Sequence, residues 1–376
     1  MERKAREGKT AVTDPETHHN QEDVPDDEIP DPFSPSDDAV HCFRLWWQLE
    51  NWLREMVYVE LRAVSADWAE LVRKAFNNPK WPPRSMQHDK TLQHMATRHE
   101  SVMSYVSTGE LRRLVAEHWR LFEHYFPPKS IFEARFDEIE QVRHRIAHFR
   151  GVDSRDLDRL VLFLRDIDNG VWRFCTSYYG SKTWIPETIV DPVSQYFIDT
   201  HANRHIVEMR AINSGYQYAQ VDSLHPYLGF HLTYSVRPWA EGVWNKAGSL
   251  PDIEGVIYCA EFTPLLPNGN FLIQDILEQT VSCHKNCAHI RLTELRGLAA
   301  FVPAVLGQER VVQTIEAFLK ACCTSVRRGD PWDERAEARR VERIVHAWPE
   351  YVLPPYHPLG LLTPDMPCRM FPYPDD

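Results

Sequence analysis

The sequence contains no run of 18 apolar residues, which excludes a membrane-spanning helix. An apolar signal core is missing too: the first 20 residues, MERKAREGKTAVTDPETHHN, are polar and charged, so the expected location is the cytoplasm, with no membrane partner. The eight cysteines are scattered, without a secretory context, and read as free thiols. There is no Gly-rich phosphate loop, no G-x-G-x-x-G and no G-x-S-x-G, so NTPase and hydrolase readings of that type lack support. Strong basic charge is absent as well. Residues 41–165 hold 20 Lys+Arg against 17 Asp+Glu, so any surface that faces RNA has to be local.

What is present is ample core material. Of the 376 residues 43% are hydrophobic, with 12 Trp and 17 Phe, enough for two domains or for one with a large appendage. The net charge of −12 is unevenly spread: residues 1–38 carry 12 Asp+Glu against 4 Lys+Arg. That segment includes DVPDDEIPDPFSPSDD, rich in Pro and acid and nearly empty of core formers. Residues 1–39 are therefore expected to be an acidic, disordered tail. A sharper alternative is a mobile acidic segment that competes with an anionic ligand for a basic site.

The spacing predicts an α+β chain in two parts. Residues 40–168 read as a helical bundle. Phe43, Trp46, Trp47, Leu49, Leu53, Met56, Val57 and Leu61 form a broad apolar stripe on the first helix. A short helix follows with Ser65 as its cap, then a loop with three prolines, NNPKWPPRS. A polar, histidine-rich helix is expected from about Ser85 to Val106, and another through TGELRRLVAEHWRLFEHYF, stopped by Pro127-Pro128. The next is expected over about Ile131–Arg150 with Gly151 as its C-cap, and a further one starts at Ser154. Residues 170–376 read as a separate α+β domain of unassigned role. YLGFHLTYSV alternates strictly, GVIYCAEFTPLL is a second strand and NRHIVEMRAI a weaker third, and PNGN signals a turn. Three helices are expected at FLIQDILEQTV, QERVVQTIEAFLKACC and DERAEARRVERIVHAWPEYV, before a Pro-rich, irregular C-terminus.

The chemistry concentrates in EIEQVRHRIAHFRG, residues 138–151. On an ideal helix with Phe132 at 0°, Arg143 falls at roughly 20°, inside the stripe of Phe136, Ile139 and Ile146, while His144 and His148 lie at roughly 120° and 160°. A guanidinium in an apolar stripe needs a partner or an anion. Asp137, or a glutamate of a neighbouring helix, is one candidate partner; outward snorkelling is another explanation. His144 and His148 share one helical face at a possible metal spacing, but no Glu follows the first His, no third ligand is evident, and Arg143 and Arg145 add positive charge. No metal and no cofactor is expected there. CHKNCAH, with Cys283, His284, Cys287 and His289, matches no zinc spacing and reads as buried thiols, as does Cys322-Cys323.

RHRIAH, with Arg143, a polar His144 and then His148, resembles the signature of the HEPN superfamily: Arg, four to six residues, His, with Asn, Asp or His commonly after the Arg. The stretches 45–61, 105–126 and 132–150 resemble successive helices of the HEPN branch found in conflict and antiviral-type proteins, so the likeness covers about residues 40–168. It implies a metal-independent endoribonuclease of toxin or antiviral-defence type, acting as a homodimer whose two motifs line one cleft. By the resemblance, Arg143 binds the scissile phosphate, and His148 is the general acid or base while the ribose 2′-OH attacks. His144 orients a catalytic partner or touches RNA; here the chain has His where Asn is commonest. Arg145 and Arg150 are candidate RNA contacts, against the more ordinary reading of solvated helix charges. An antitoxin or a trigger protein is a further possible partner. The alternative is a catalytically inactive HEPN module that binds RNA or protein.

Overall fold

One helix organises the molecule. In a computed structural model of the chain, α1 (Asp37–Val64) buries a single stripe in its first half, with Cys42, Leu45, Trp46, Leu49 and Leu53, and then every residue from Met56 to Ala63. A helix covered on all sides has to sit between two layers, and α1 does. The structure describes residues 34–78, 81, 84–89, 91–92, 101–178, 191–201, 217–220, 228–240, 253–264, 269–293, 297–328 and 334–373. Residues 1–33 of the expected acidic tail, the NRHIVEMRAI strand and the first half of the PNGN turn lie outside these residues; Asp37–Ala39, expected in the tail, begin α1.

On one side of α1 lies the helical layer: α2 (Trp68–Phe76), α3 (Arg84–Asp89), α4 (Thr108–Glu117), α5 (Lys129–Ala147) and α6 (Ser154–Tyr178). Local chemistry sets the starts. Asp67, rather than Ser65, caps α2 by accepting from the Glu70 N–H, and Ser107 and Glu110 form a reciprocal capping box on α4. The long helix expected over Ser85–Val106 is not continuous. α3 stops at Asp89, and Val102–Tyr105 is a separate 3₁₀ turn capped by Ser101. The helix expected to run up to Pro127 breaks earlier, at His118, and continues as a 3₁₀ turn. α6 starts at Ser154 as expected, but it runs ten residues beyond 168, through the expected domain boundary; residues 37–376 form one compact unit.

On the other side lies a mixed sheet built from β1 (Gln217–Gln220), β2 (Leu228–Val236), β3 (Val256–Pro264), β5 (His289–Leu292), β6 (Leu298–Pro303) and β8 (Val352–Leu353), in the order β1-β2-β3-β6-β5-β8. All neighbours are antiparallel except β5 and β8. β4 (Gly269–Phe271) pairs separately with β7 (Val326–Arg328). The helices of this part are α7 (Pro192–His201), α8 (Ile273–His284), α9 (Gln308–Ser325), α10 (Glu334–Ala347) and α11 (Pro358–Leu361). The class is α+β, with the helical region first. In β2 the alternation holds only in its first half: Leu228, Phe230 and Leu232 are buried and Gly229 and His231 partly exposed, but from Thr233 on both faces are covered, since α6 and α9 both pack against this strand. The Pro-rich C-terminus is less irregular than expected, because Val352 and Leu353 pair with Ile290 and Arg291.

Polar bonds join the layers across α1. Glu60 and Arg237 form an ion pair with both side chains at 0% exposure, and Glu60 also accepts from Tyr125 Oη at 2.7 Å and Trp239 Nε1 at 2.6 Å. Tyr58 donates to the Ala288 carbonyl, Arg62 to the Lys285 and Cys287 carbonyls, and the Gly255 N–H to the Ala63 carbonyl. A buried charge is tolerable only with a bonded counter-ion, which Glu60 supplies, although Arg237 Nη1 has no hydrogen-bond partner among the described residues.

Candidate functional site

α5 forms because Phe132, Phe136, Ile139 and Val142 repeat at helical spacing and all reach the core. Its charged residues follow a clear rule up to Glu140. Lys129 pairs with Glu133, Arg135 with Glu138, and Asp137 and Glu140 with Arg112 of α4; Glu138 also meets Arg159 of α6. Arg143 breaks the rule. It makes no hydrogen bond or ion pair among the described residues, and it is half-buried. Asp137, its expected partner, is taken by Arg112 at 2.6 Å. Full burial of Arg143 does not occur because the last turn of α5 runs past the core: Val142 is its last buried residue, and Ile146 is only partly covered.

The helix ends in a way the sequence did not suggest. His148 is the C-cap, and Phe149 takes the left-handed conformation at φ 54°. The Phe149 N–H reaches the Ile146 carbonyl at 3.1 Å and the Arg150 N–H the Arg145 carbonyl at 2.9 Å, which together make a Schellman terminus. Gly151, the expected cap, lies two residues too late. A left-handed non-glycine costs about 1–2 kcal/mol, and this one leaves its ring 98% exposed. Strain together with exposure makes Phe149 a candidate contact residue that periodicity alone missed. The detectable signal was an aromatic next to a helix end with no glycine to take the turn.

The structure brings His144 and His148 together, their rings nearly parallel (15°) with centroids 6.4 Å apart. Among the described residues no contact ties Arg143 to either histidine. Arg145, a candidate RNA contact, holds the buried Asp156 at 2.7 Å, and Arg159 shares that carboxylate. Arg150 is exposed, and among the described residues only its backbone is bonded. The end of α5 thus displays Arg143, His144, His148, Phe149 and Arg150. Cys42 of α1 lies near the same end; burial and then the Asp156 charge push its thiol up to about 12. On that stretch of α1, Phe43 and Trp47, expected in the apolar stripe, are 55% and 61% exposed and pack on each other.

Among the described residues no group of three or more His, Cys, Asp or Glu is arranged to hold a metal ion. The CHKNCAH side chains go separate ways. His284 lies against Phe318 and Tyr351 with Thr280 at 3.2 Å, and burial lowers its pKa to about 4. Burial pushes the Cys287 thiol up to about 12, and His289 is held by Tyr178. Comparison of the chain with models of protein families, with curated proteins and with solved structures found no match. The functional reading therefore rests on the chemistry at the end of α5.

Proposed function

We propose that the chain is a metal-independent endoribonuclease of the toxin or antiviral-defence type, a HEPN-like enzyme with Arg143 and His148 as its catalytic pair. The observation that carries this reading is the unpaired Arg143 on a helix whose six preceding charged residues are all paired. A cation without a counter-ion, beside two exposed histidines, suits an anionic ligand such as an RNA phosphate. Arg143 stabilises the charge that develops on the scissile phosphate. The ribose 2′-oxygen bonds to phosphorus, the bond to the 5′-oxygen of the next nucleotide breaks, and the products are a 2′,3′-cyclic phosphate and a 5′-hydroxyl. His148 takes the 2′-OH proton or supplies the leaving group's proton, work that suits an imidazole whose ordinary pKa is about 6.5. Because one chain leaves Arg143 and the histidine pair out of contact, the site is completed by a second copy around a two-fold axis.

A second reading has its own observation. The exposed Phe43, Trp47 and Phe149 suit a HEPN-like module that binds RNA or protein without cleaving it. One assay separates the two. Single-stranded RNA and transfer RNA are incubated with the protein in EDTA, alongside Arg143→Ala and His148→Ala. Cleavage by the wild type alone, with cyclic-phosphate ends, is expected. Equal cleavage by all three, or binding without cleavage by the wild type, overturns the catalytic reading. Growth arrest on overexpression, lost in His148→Ala, is the matching readout in cells.

A further inference from the structure

A second polar site lies away from α5. One face of α1, carrying Trp52, Glu55 and Tyr58, borders a cleft of about 320 Å³ that is closed by the 101–104 turn, His289 of β5 and the segment from Pro349 to Pro358. Its groups are unusually arranged. The Glu55 carboxylate has no hydrogen-bond partner among the described residues, and its Oε2 is shut off from solvent within the wall. His289, 2% exposed, places Nε2 at 3.5 Å from that oxygen without hydrogen-bond geometry. The other ring nitrogen, Nδ1, lies 2.8 Å from the buried Tyr178 hydroxyl. With Tyr178 donating to Nδ1, the His289 proton sits on Nε2, beside the free carboxylate.

An unbonded carboxylate in a wall is costly unless something completes it. The charge in the cleft says what that can be. The Arg54 guanidinium is already bound to Glu50, and Glu55 and Glu350 are acidic, so phosphate or carboxylate groups are disfavoured. The partly exposed Trp52 in the cleft wall favours a flat ring. One open carboxylate oxygen, Oε1, beside an N–H donor calls for an edge whose two adjacent N–H groups can share that oxygen, with a neighbouring acceptor. Guanine carries that edge in N2–H, N1–H and O6.

We propose that this cleft binds a guanine base, with the open Glu55 Oε1 accepting from N1–H and N2–H, His289 Nε2 donating to O6, and Trp52 as the stacking wall. Tyr178 is a positioning residue that fixes the His289 tautomer. The base is presented either by a free nucleoside or by an unpaired guanine within RNA. A volume of about 320 Å³ is within the usual range for small-ligand sites.

Titration calorimetry on the full chain tests this with guanosine, inosine and adenosine, and with a short RNA holding one unpaired guanine. Wild type is expected to bind guanosine below millimolar Kd and inosine more weakly, with little heat from adenosine. Glu55→Gln weakens guanosine about tenfold or more, as loss of a charge-assisted pair requires, and Trp52→Ala weakens all ring ligands. Binding of the RNA but not of guanosine, still lost in Glu55→Gln, assigns the polymer as the source. Binding also reads out a proton. The groups around Glu55 are Tyr58, His289, Arg54, His357 and Glu350, and the two histidines are held neutral by burial. Burial likewise raises the Glu55 pKa to about 7, so guanosine binding at pH 6 releases a proton from wild type and none from Glu55→Gln. Failure of guanosine and RNA to bind, or equal binding by wild type and Glu55→Gln, overturns the proposal. Neither result bears on RNA cleavage at α5, which His148→Ala reports separately.

Discussion

Arg237 and Arg143 mark two regions that treat charge in opposite ways. At the junction of α1 with the sheet, Arg237 is fully buried, bonded twice to Glu60 and laid over the rings of Phe174 and Tyr178. At the end of α5, Arg143 is half-buried with no partner among the described residues. The first arrangement stabilises one packing of helix against sheet, since a buried ion needs its counter-ion held in place. The second leaves a cation solvated and available. A charge in an apolar pattern is thus tied into the fold where the surrounding layers close around it and left open to a ligand where they end.

Mutations can break this contrast, and the largest expected effect is on activity. Arg143→Ala or His148→Ala is expected to lower RNA cleavage by about 10²–10⁴-fold, with the melting temperature little changed; a matching fall in melting temperature would make Arg143 structural too. At the junction, Glu60→Ala should cost about 3–5 kcal/mol in denaturant unfolding, because Arg237 is left buried and unpaired. The double variant Glu60→Leu/Arg237→Met should recover most of that loss.

Packing at the same junction gives the next effect. A Cβ at Gly170 would lie 1.7 Å from the Tyr125 carbonyl oxygen, so Gly170→Ala should destabilise by about 1–3 kcal/mol or more. A smaller effect belongs to Glu55. Its pKa, raised by burial from 4.5 to about 7, means the folded state holds a proton that the unfolded state gives up. The stabilisation is full below 4.5 and lost as pH rises to about 7. Since 31% of the side chain is accessible, water in the cleft moderates it. Melting curves from pH 4.5 to 8 should show wild type losing stability relative to Glu55→Gln; a constant difference would mean Glu55 ionises normally. Smallest is Phe149→Gly, expected to gain about 1 kcal/mol by relieving the left-handed strain while weakening RNA binding, measured by filter retention.

Much of this was legible in the residues. The stripe on α5, the alternation at the start of β2 and the unpaired look of RHRIAH follow from helical and strand periods that neighbouring residues enforce on each other. Other features were not. Phe43 and Trp47 read as core because amphipathic spacing cannot say where a covering layer stops. The end of α5 was misplaced because a Schellman turn can form on Phe149 when two carbonyls need donors, even with Gly151 nearby.

The sequence by itself determined the α+β class, the helical first half and the one stretch where a cation and two histidines share a turn, since these are local and periodic properties. Tertiary structure alone decided which charges are spent. It gave Asp137 to Arg112 and Asp156 to Arg145, left Arg143 open, and set Glu55 of α1 against His289, 234 residues later. Ion pairing and burial depend on distances between elements, which chain order does not encode.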